Sequence, residues 1–141
     1  MPIGTKTSVI FEGDNFKEVS RLLKYTKLIS SDFENLINKA EYGDLIFADP
    51  PYTVRHNYNG FVKYNEKIFS WHDQERLFHS LNEASQRGVI IVSTNAYHES
   101  VRELYQGTFH TRSVSRNSSI SSKVSTRKKY EELIISSEGA C

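Results

Sequence analysis

The sequence predicts an α/β domain: a mixed sheet with helices on both faces and an antiparallel strand pair toward the carboxyl end. Three observations carry this reading. Leu45–Ala48 and Val89–Ser93 are short, uninterrupted apolar runs of the kind that form buried strands. Between them lies a helix with a legible start and stop, so strand and helix alternate along the chain. Phe109–Val114 and Glu132–Ile135 read as two late strands able to pair with one another.

Taken in order, Ser8–Phe11 reads as a first short strand. After Gly13, Asp14 or Asn15 caps a helix from Phe16 to about Lys24, whose Phe16, Val19, Leu22 and Leu23 share one side and are expected to pack on the sheet. Lys27–Ser30 reads as another short strand, and Ser31-Asp32-Phe33 leads into a small helical turn with Phe33, Leu36 and Ile37. Gly43-Asp44 breaks the chain before Leu45–Ala48, expected as a central parallel strand covered on both faces. Thr53–Phe69, rich in Tyr, Asn, Lys and Gly, has no clean period and exceeds an ordinary connection, which marks a functional loop. Ser70-Trp71-His72-Asp73 resembles a capping sequence for a helix carrying Leu77, Phe78, Leu81 and Ala84 on one face and stopping at Gly88. A short helix from around His98 to Tyr105 follows the Val89–Ser93 strand, and Ser113–Thr126, where serines mix with basic residues, is expected to be a loop.

At 141 residues the chain has the length of one modest domain, residues 1–141. Its 18 basic and 17 acidic side chains nearly cancel, so a nucleic-acid role has to rest on local clustering. The single cysteine, Cys141, excludes an intramolecular disulfide and a cysteine zinc site. His56, His72, His79, His98 and His110 show no ligand spacing, so no metal is expected. The start Met-Pro-Ile-Gly-Thr-Lys lacks the apolar core of a signal peptide, and no apolar run approaches bilayer length. A soluble, cytoplasmic protein with no membrane partner is expected.

Asp49-Pro50-Pro51-Tyr52 stands at the carboxyl end of an apolar strand, where open α/β sheets place their ligands. The two prolines fix two φ angles and hold Asp49 extended, so the turn is stiff. An aromatic ring on such a turn can lie over a planar base, while the carboxylate and a backbone carbonyl face its edge. That arrangement suits an amine attached to a ring. The competing reading is a simple strand stop, with Asp49 capping the turn and Tyr52 covering the sheet edge.

The tetrapeptide and its surroundings together resemble the Dam-like, D12-class family of DNA adenine-N6 methyltransferases. The lead-in Gly43-Asp44-Leu45-Ile46-Phe47-Ala48, the later Tyr64, Phe69 and Asp73-Gln74-Glu75-Arg76-Leu77, the stretch Arg87–Asn95 and the run Tyr130–Ile135 follow in the family's order. The likeness covers roughly Ile29 to Ile135. It implies a partial Rossmann-like methyltransferase fold, S-adenosylmethionine as donor and double-stranded DNA as substrate. Asp49, Pro50, Pro51 and Tyr52 would be the catalytic motif, with Asp49 near both the amine and the donor. Asp49 and the Pro50 carbonyl would accept hydrogen bonds from the adenine amine, whose lone pair is otherwise delocalised. The base would be extruded from the duplex and stacked on Tyr52. Asp32-Phe33 resembles the family's donor-binding Asp-Phe pair, although Phe33 also fits a plain core position. Tyr64 and Phe69 sit where the family's loop closes over the donor. Asn95 fits a cap for the following helix better than a catalytic role.

The family also carries a Phe-x-Gly-x-Gly turn for the donor and a recognition region before the catalytic motif. Gly4 and Gly13 are too far apart for that turn. The expectation is therefore a catalytic part, whose pocket is completed by a further segment or a second polypeptide. DNA contacts are expected from Arg55 and Lys63 in the long loop, and from Arg112, Arg116, Lys123, Arg127 and Lys128, in a stretch with many hydroxyls and no acid. A solvated hairpin loop is the competing reading of that stretch. Two other functions stay open: a non-catalytic DNA-binding remnant, and methylation of an RNA adenine or a glutamine amide.

Overall fold

The computed structural model describes Gly13 and residues 15–54, 68–117 and 129–138. The expected strand Ser8–Phe11 lies outside them. The chain divides between Ser31 and Asp32 into two compact units.

The first unit holds helix α1, Phe16–Leu23, capped by Asn15, whose side chain accepts from the Glu18 amide at 3.1 Å. Arg21 donates to Glu18 at 2.6 Å one turn away. None of its residues is buried, so the expected burial of Phe16, Val19, Leu22 and Leu23 is not seen among the described residues. Lys27–Ser30 is also no strand: it joins no ladder and its residues are exposed.

The second unit contains helix α2, Phe33–Ile37; strand β1, Leu45–Ala48; helix α3, Trp71–Gln86; strand β2, Ile90–Ala96; helix α4, Glu99–Tyr105; and strands β3, His110–Asn117, and β4, Lys129–Ser136. The sheet order is β1-β2-β4-β3. β1 runs parallel to β2, in register Ala48 with Ser93, whereas β4 is antiparallel to both β2 and β3. This is the mixed sheet with a late antiparallel pair that the sequence predicts. β3 runs past the expected end at Val114 and takes in Ser115–Asn117, which the sequence assigned to a loop; their ladder to Lys129–Glu131 overrides the polar composition.

α3 begins as its sequence dictates. Ser70 Oγ accepts from the Asp73 amide at 3.2 Å, while Asp73 Oδ2 accepts from the Ser70 amide at 2.8 Å, a reciprocal cap. It ends before Gly88, whose φ of +83° disfavours other residues. The same glycine lets the Tyr42 ring approach, since an added Cβ would stand 2.3 Å from Tyr42 Cδ2. Gln74, Leu77, Ser80, Leu81 and Ala84 form its buried face, in one core with Ile91, Val101, Tyr105, Leu133 and Ile135. Phe78 packs edge-on to Tyr105 with ring centroids 5.3 Å apart. Within this core Gln74 Nε2 donates to the Tyr105 hydroxyl at 3.1 Å, and burial pushes that hydroxyl above the ordinary phenol range.

β2 alternates between buried Ile91, Ser93 and Asn95 and half-buried residues on its other side. β1 departs from expectation. Among the described residues it is the edge strand, and Leu45 and Phe47 are each 63% exposed. Among the described residues only the face of Ile46 and Ala48 packs on the core, so the expected cover on both faces is not seen there.

Candidate active site

The stiff segment after β1 begins where the ladder places Ala48 beside Ser93. One residue further on, Asp49 comes next to Thr94, whose hydroxyl donates to Asp49 Oδ1 at 2.5 Å. The bond is charge-assisted and fixes one carboxylate oxygen. Oδ2 is left for another donor. Asp49 and Pro51 are exposed, whereas Pro50 and Tyr52 are half-buried. The chain is then pinned: Thr53 is fully buried, its hydroxyl donates to the Phe69 carbonyl at 2.7 Å, and Val54 enters the core. The described ends of the Thr53–Phe69 stretch are thus joined.

Beside the motif lies a cavity of about 320 Å³, lined by Phe33, Leu36 and Ile37 of α2, Ile46–Ala48 of β1, Asp49, Pro50, Pro51, Phe69 and Leu77. That volume falls at the low end of the roughly 300–1,000 Å³ of small-molecule sites. A larger cavity, about 500 Å³, opens between Gly88–Ile90 and Gly107–His110, at the amino end of β2 and away from Asp49. The smaller one is the cavity that Asp49, Pro50 and Pro51 line. It brings together five sequence-predicted site residues: Asp49, Pro50, Pro51, Phe33 and Phe69. The Phe33 and Phe69 rings stand 6.0 Å apart at 52°. Phe33 packs against the core and also lines the cavity.

Asp32 plays a different part from Phe33. Its Oδ1 accepts from the Glu34 amide at 3.0 Å as the cap of α2, and both its oxygens accept from Arg76 at 3.1 Å. The Arg76 guanidinium, followed by the Glu34 amide, holds the Asp32 carboxyl below the usual carboxylate range. Asp73 is held low mainly by the Ser70 hydroxyl. Asn95 also departs from expectation. His98, not Asn95, caps α4, its Nδ1 accepting from the Ser100 amide at 3.2 Å. Asn95 sits buried inside β2, because the strand runs on to Ala96, and its Oδ1 accepts from the Ala96 amide at 2.9 Å.

The sheet also relates this site to one predicted DNA contact. Thr94 pairs with Ile134, and Ile134 with Arg112, so Arg112 shares a row and a face with Thr94 two strands away. At about 4.8 Å per strand, that is roughly 10 Å between backbones. Arg112 is exposed. Arg116 lies on the same strand. Arg55, Lys63, Tyr64, Lys123, Arg127 and Lys128 lie outside the described residues. Among the described residues no cluster of His, Cys, Asp and Glu is placed to hold a metal, and no helix is long and apolar enough to cross a membrane.

Thr53, Arg76 and Thr94 are the residues that sequence reasoning missed. Their partners lie 16, 44 and 45 residues away, so no local pattern marks them. The only available signal was position, with Thr94 falling next to the predicted strand end.

The candidate site lies at the carboxyl end of a parallel strand in an α/β protein, where open sheets of this kind place their ligands. Residues 1–120 match the model of the D12 class N6 adenine-specific DNA methyltransferases, and the chain belongs to that family. It is 30% identical over 113 residues to the type II methyltransferase M1.LlaDCHI of Lactococcus lactis subsp. cremoris, covering 80% of this chain and 39% of that protein. It is 35% identical over 103 residues to the DNA N-6-adenine-methyltransferase of Escherichia phage P1, covering 72% and 14% respectively. Against the type II methyltransferase M.MjaIII of Methanocaldococcus jannaschii it is 32% identical over 133 residues, covering 92% and 46%. The chain thus spans less than half the length of each of these relatives.

Proposed function

We propose that residues 1–141 are the catalytic part of an S-adenosylmethionine-dependent methyltransferase acting on the exocyclic amine of adenine in double-stranded DNA. The observation that carries this is the cavity beside Asp49, walled by the Phe33 and Phe69 rings and floored by the two prolines. Its apolar, aromatic lining fits the flat adenine end of the donor, and the other end would then lie toward Asp49. When bound, the donor supplies an electrophilic methyl carbon on a sulfonium.

The chain's own residues prepare the acceptor. With Oδ1 held by Thr94, Asp49 Oδ2 accepts one N–H of the adenine amine and the Pro50 carbonyl accepts the other. Both bonds draw the nitrogen lone pair out of the ring and toward the attacking geometry. Tyr52 supplies the stacking surface for the extruded base. Asp49 is also the nearest base for the proton that the methylated amine sheds. Arg112, Arg116 and the basic residues between β3 and β4 contact phosphates, as do Arg55 and Lys63.

The family's glycine turn is not carried by this stretch, and the remainder is supplied by a further segment or a second polypeptide. The test is transfer of labelled methyl from S-adenosylmethionine to duplex DNA, structured RNA and protein, by the chain alone and supplemented with the unmatched part of a relative. Label in adenine of duplex DNA, abolished by Asp49→Ala in a folded variant, is expected. Retained transfer in that variant would sink the assignment, and DNA binding without any transfer would favour a non-catalytic remnant.

A further inference from the structure

We propose that Arg76 is the positioning residue of the donor pocket, acting through Asp32 and Phe33; this rests on the assignment of that pocket above. Arg76 stands in the second turn of α3, outside the cavity lining. Its guanidinium nevertheless spans to the other wall. One terminal nitrogen donates to both Asp32 oxygens at 3.1 Å, Nε donates to Glu34 at 3.2 Å, and the other terminal nitrogen donates to Asp73 at 2.8 Å. The same group lies over the Phe33 ring, 4.9 Å from its centroid.

An isolated surface ion pair would contribute little. This one differs in shape. A planar, forked cation is the one side chain able to grip three carboxylates and cover an aromatic face at once. Asp32 caps α2, so the grip fixes the start of the short helix that brings Phe33, Leu36 and Ile37 to the cavity. A five-residue helix has too few hydrogen bonds to hold itself. Its place against α3 depends on outside contacts, and Arg76 ties its first residues to the reciprocal cap through Asp73. Without that tie the Phe33 ring loses its fixed angle to Phe69, and the aromatic slot widens.

The test uses the 141-residue chain and titration calorimetry with S-adenosylmethionine, alongside thermal melting. Arg76→Gln is expected to weaken binding tenfold or more while Tm changes by only a few degrees, and Arg76→Lys to recover part of the loss. Because Arg76 acts through the ring, adding Phe33→Leu to Arg76→Gln should cost less than the two single losses combined. Equal affinity in wild type and Arg76→Gln would overturn the proposal, as would fully additive losses. Should the wild-type chain alone not bind S-adenosylmethionine, as a pocket still awaiting its further segment would not, the clamp is read by NMR instead. Displaced Phe33 ring resonances in Arg76→Gln then support it, and unmoved ones overturn it.

Discussion

Thr94→Val removes one oxygen from the site and almost nothing else. Valine keeps the branched shape that suits β2, and the ladder to Ile134 is made by backbone atoms. What is lost is the 2.5 Å hydrogen bond to Asp49 Oδ1. A hydrogen bond to a charged group contributes about 1.5–3 kcal/mol net. Thr94 is half-buried and Asp49 exposed in the free protein. Water replaces most of that value there, leaving less than about 1 kcal/mol of stability, a few degrees in Tm. When a base occupies the site the water is gone and the carboxylate must point at the amine, so the larger figure applies. At 1.36 kcal/mol per factor of ten, methyl transfer at saturating substrates should fall roughly 10- to 150-fold. The assay is single-turnover transfer of labelled methyl to duplex DNA, in the supplemented preparation described above, with melting curves for both proteins. A fall of less than threefold would refute the idea that Thr94 aims Asp49. A loss of Tm as large as that of a core truncation would show that Thr94 serves folding instead.

Other substitutions separate the remaining roles. Tyr52→Ala should weaken binding of an adenine-containing single strand by about 1–3 kcal/mol, read by fluorescence anisotropy, whereas Tyr52→Phe should retain it. Arg112→Ala should weaken duplex binding by a similar factor on unrelated sequences and lower the slope of log affinity against log salt by about one. Leu81 is fully buried on α3, and Leu81→Ala should cost about 2–5 kcal/mol in denaturant unfolding. The pH dependence follows from Asp32 and Asp73, both held below their ordinary value of 3.8 in the folded state. Their contribution is complete above 3.8 and is lost as pH falls through the lower folded values. Urea midpoints should therefore drop in acid below pH 4, and less steeply in Asp73→Asn.

Where an element is specified by neighbours in sequence, it was legible. Ser70 and Asp73 announce α3, Gly88 ends it, and the apolar runs mark β1 and β2. The motif's place at a strand end followed from the same runs. What escaped was set by distant partners. Lys27–Ser30 has the composition of a strand, but a strand exists only where a ladder receives it. Ser115–Asn117 looks like loop and joins β3 because β4 lies beside it. Asn95 has the chemistry of a cap, yet the strand continues past it and His98 takes the position. Thr94 and Arg76 gain their meaning only when β1 meets β2 and α2 meets α3.

The exposed edge at β1 has a consequence for anyone handling the protein. On its far side the four residues Leu45–Ala48 offer backbone donors and acceptors that no described strand receives, flanked by apolar side chains facing water. Such a border is adhesive toward any extended peptide, including another copy of itself. Natural sheets blunt a border of this kind with charge or proline, and the proline nearest this strand is Pro50, after the strand has ended. Any extended segment that reaches that border can lengthen the sheet there, strand upon strand.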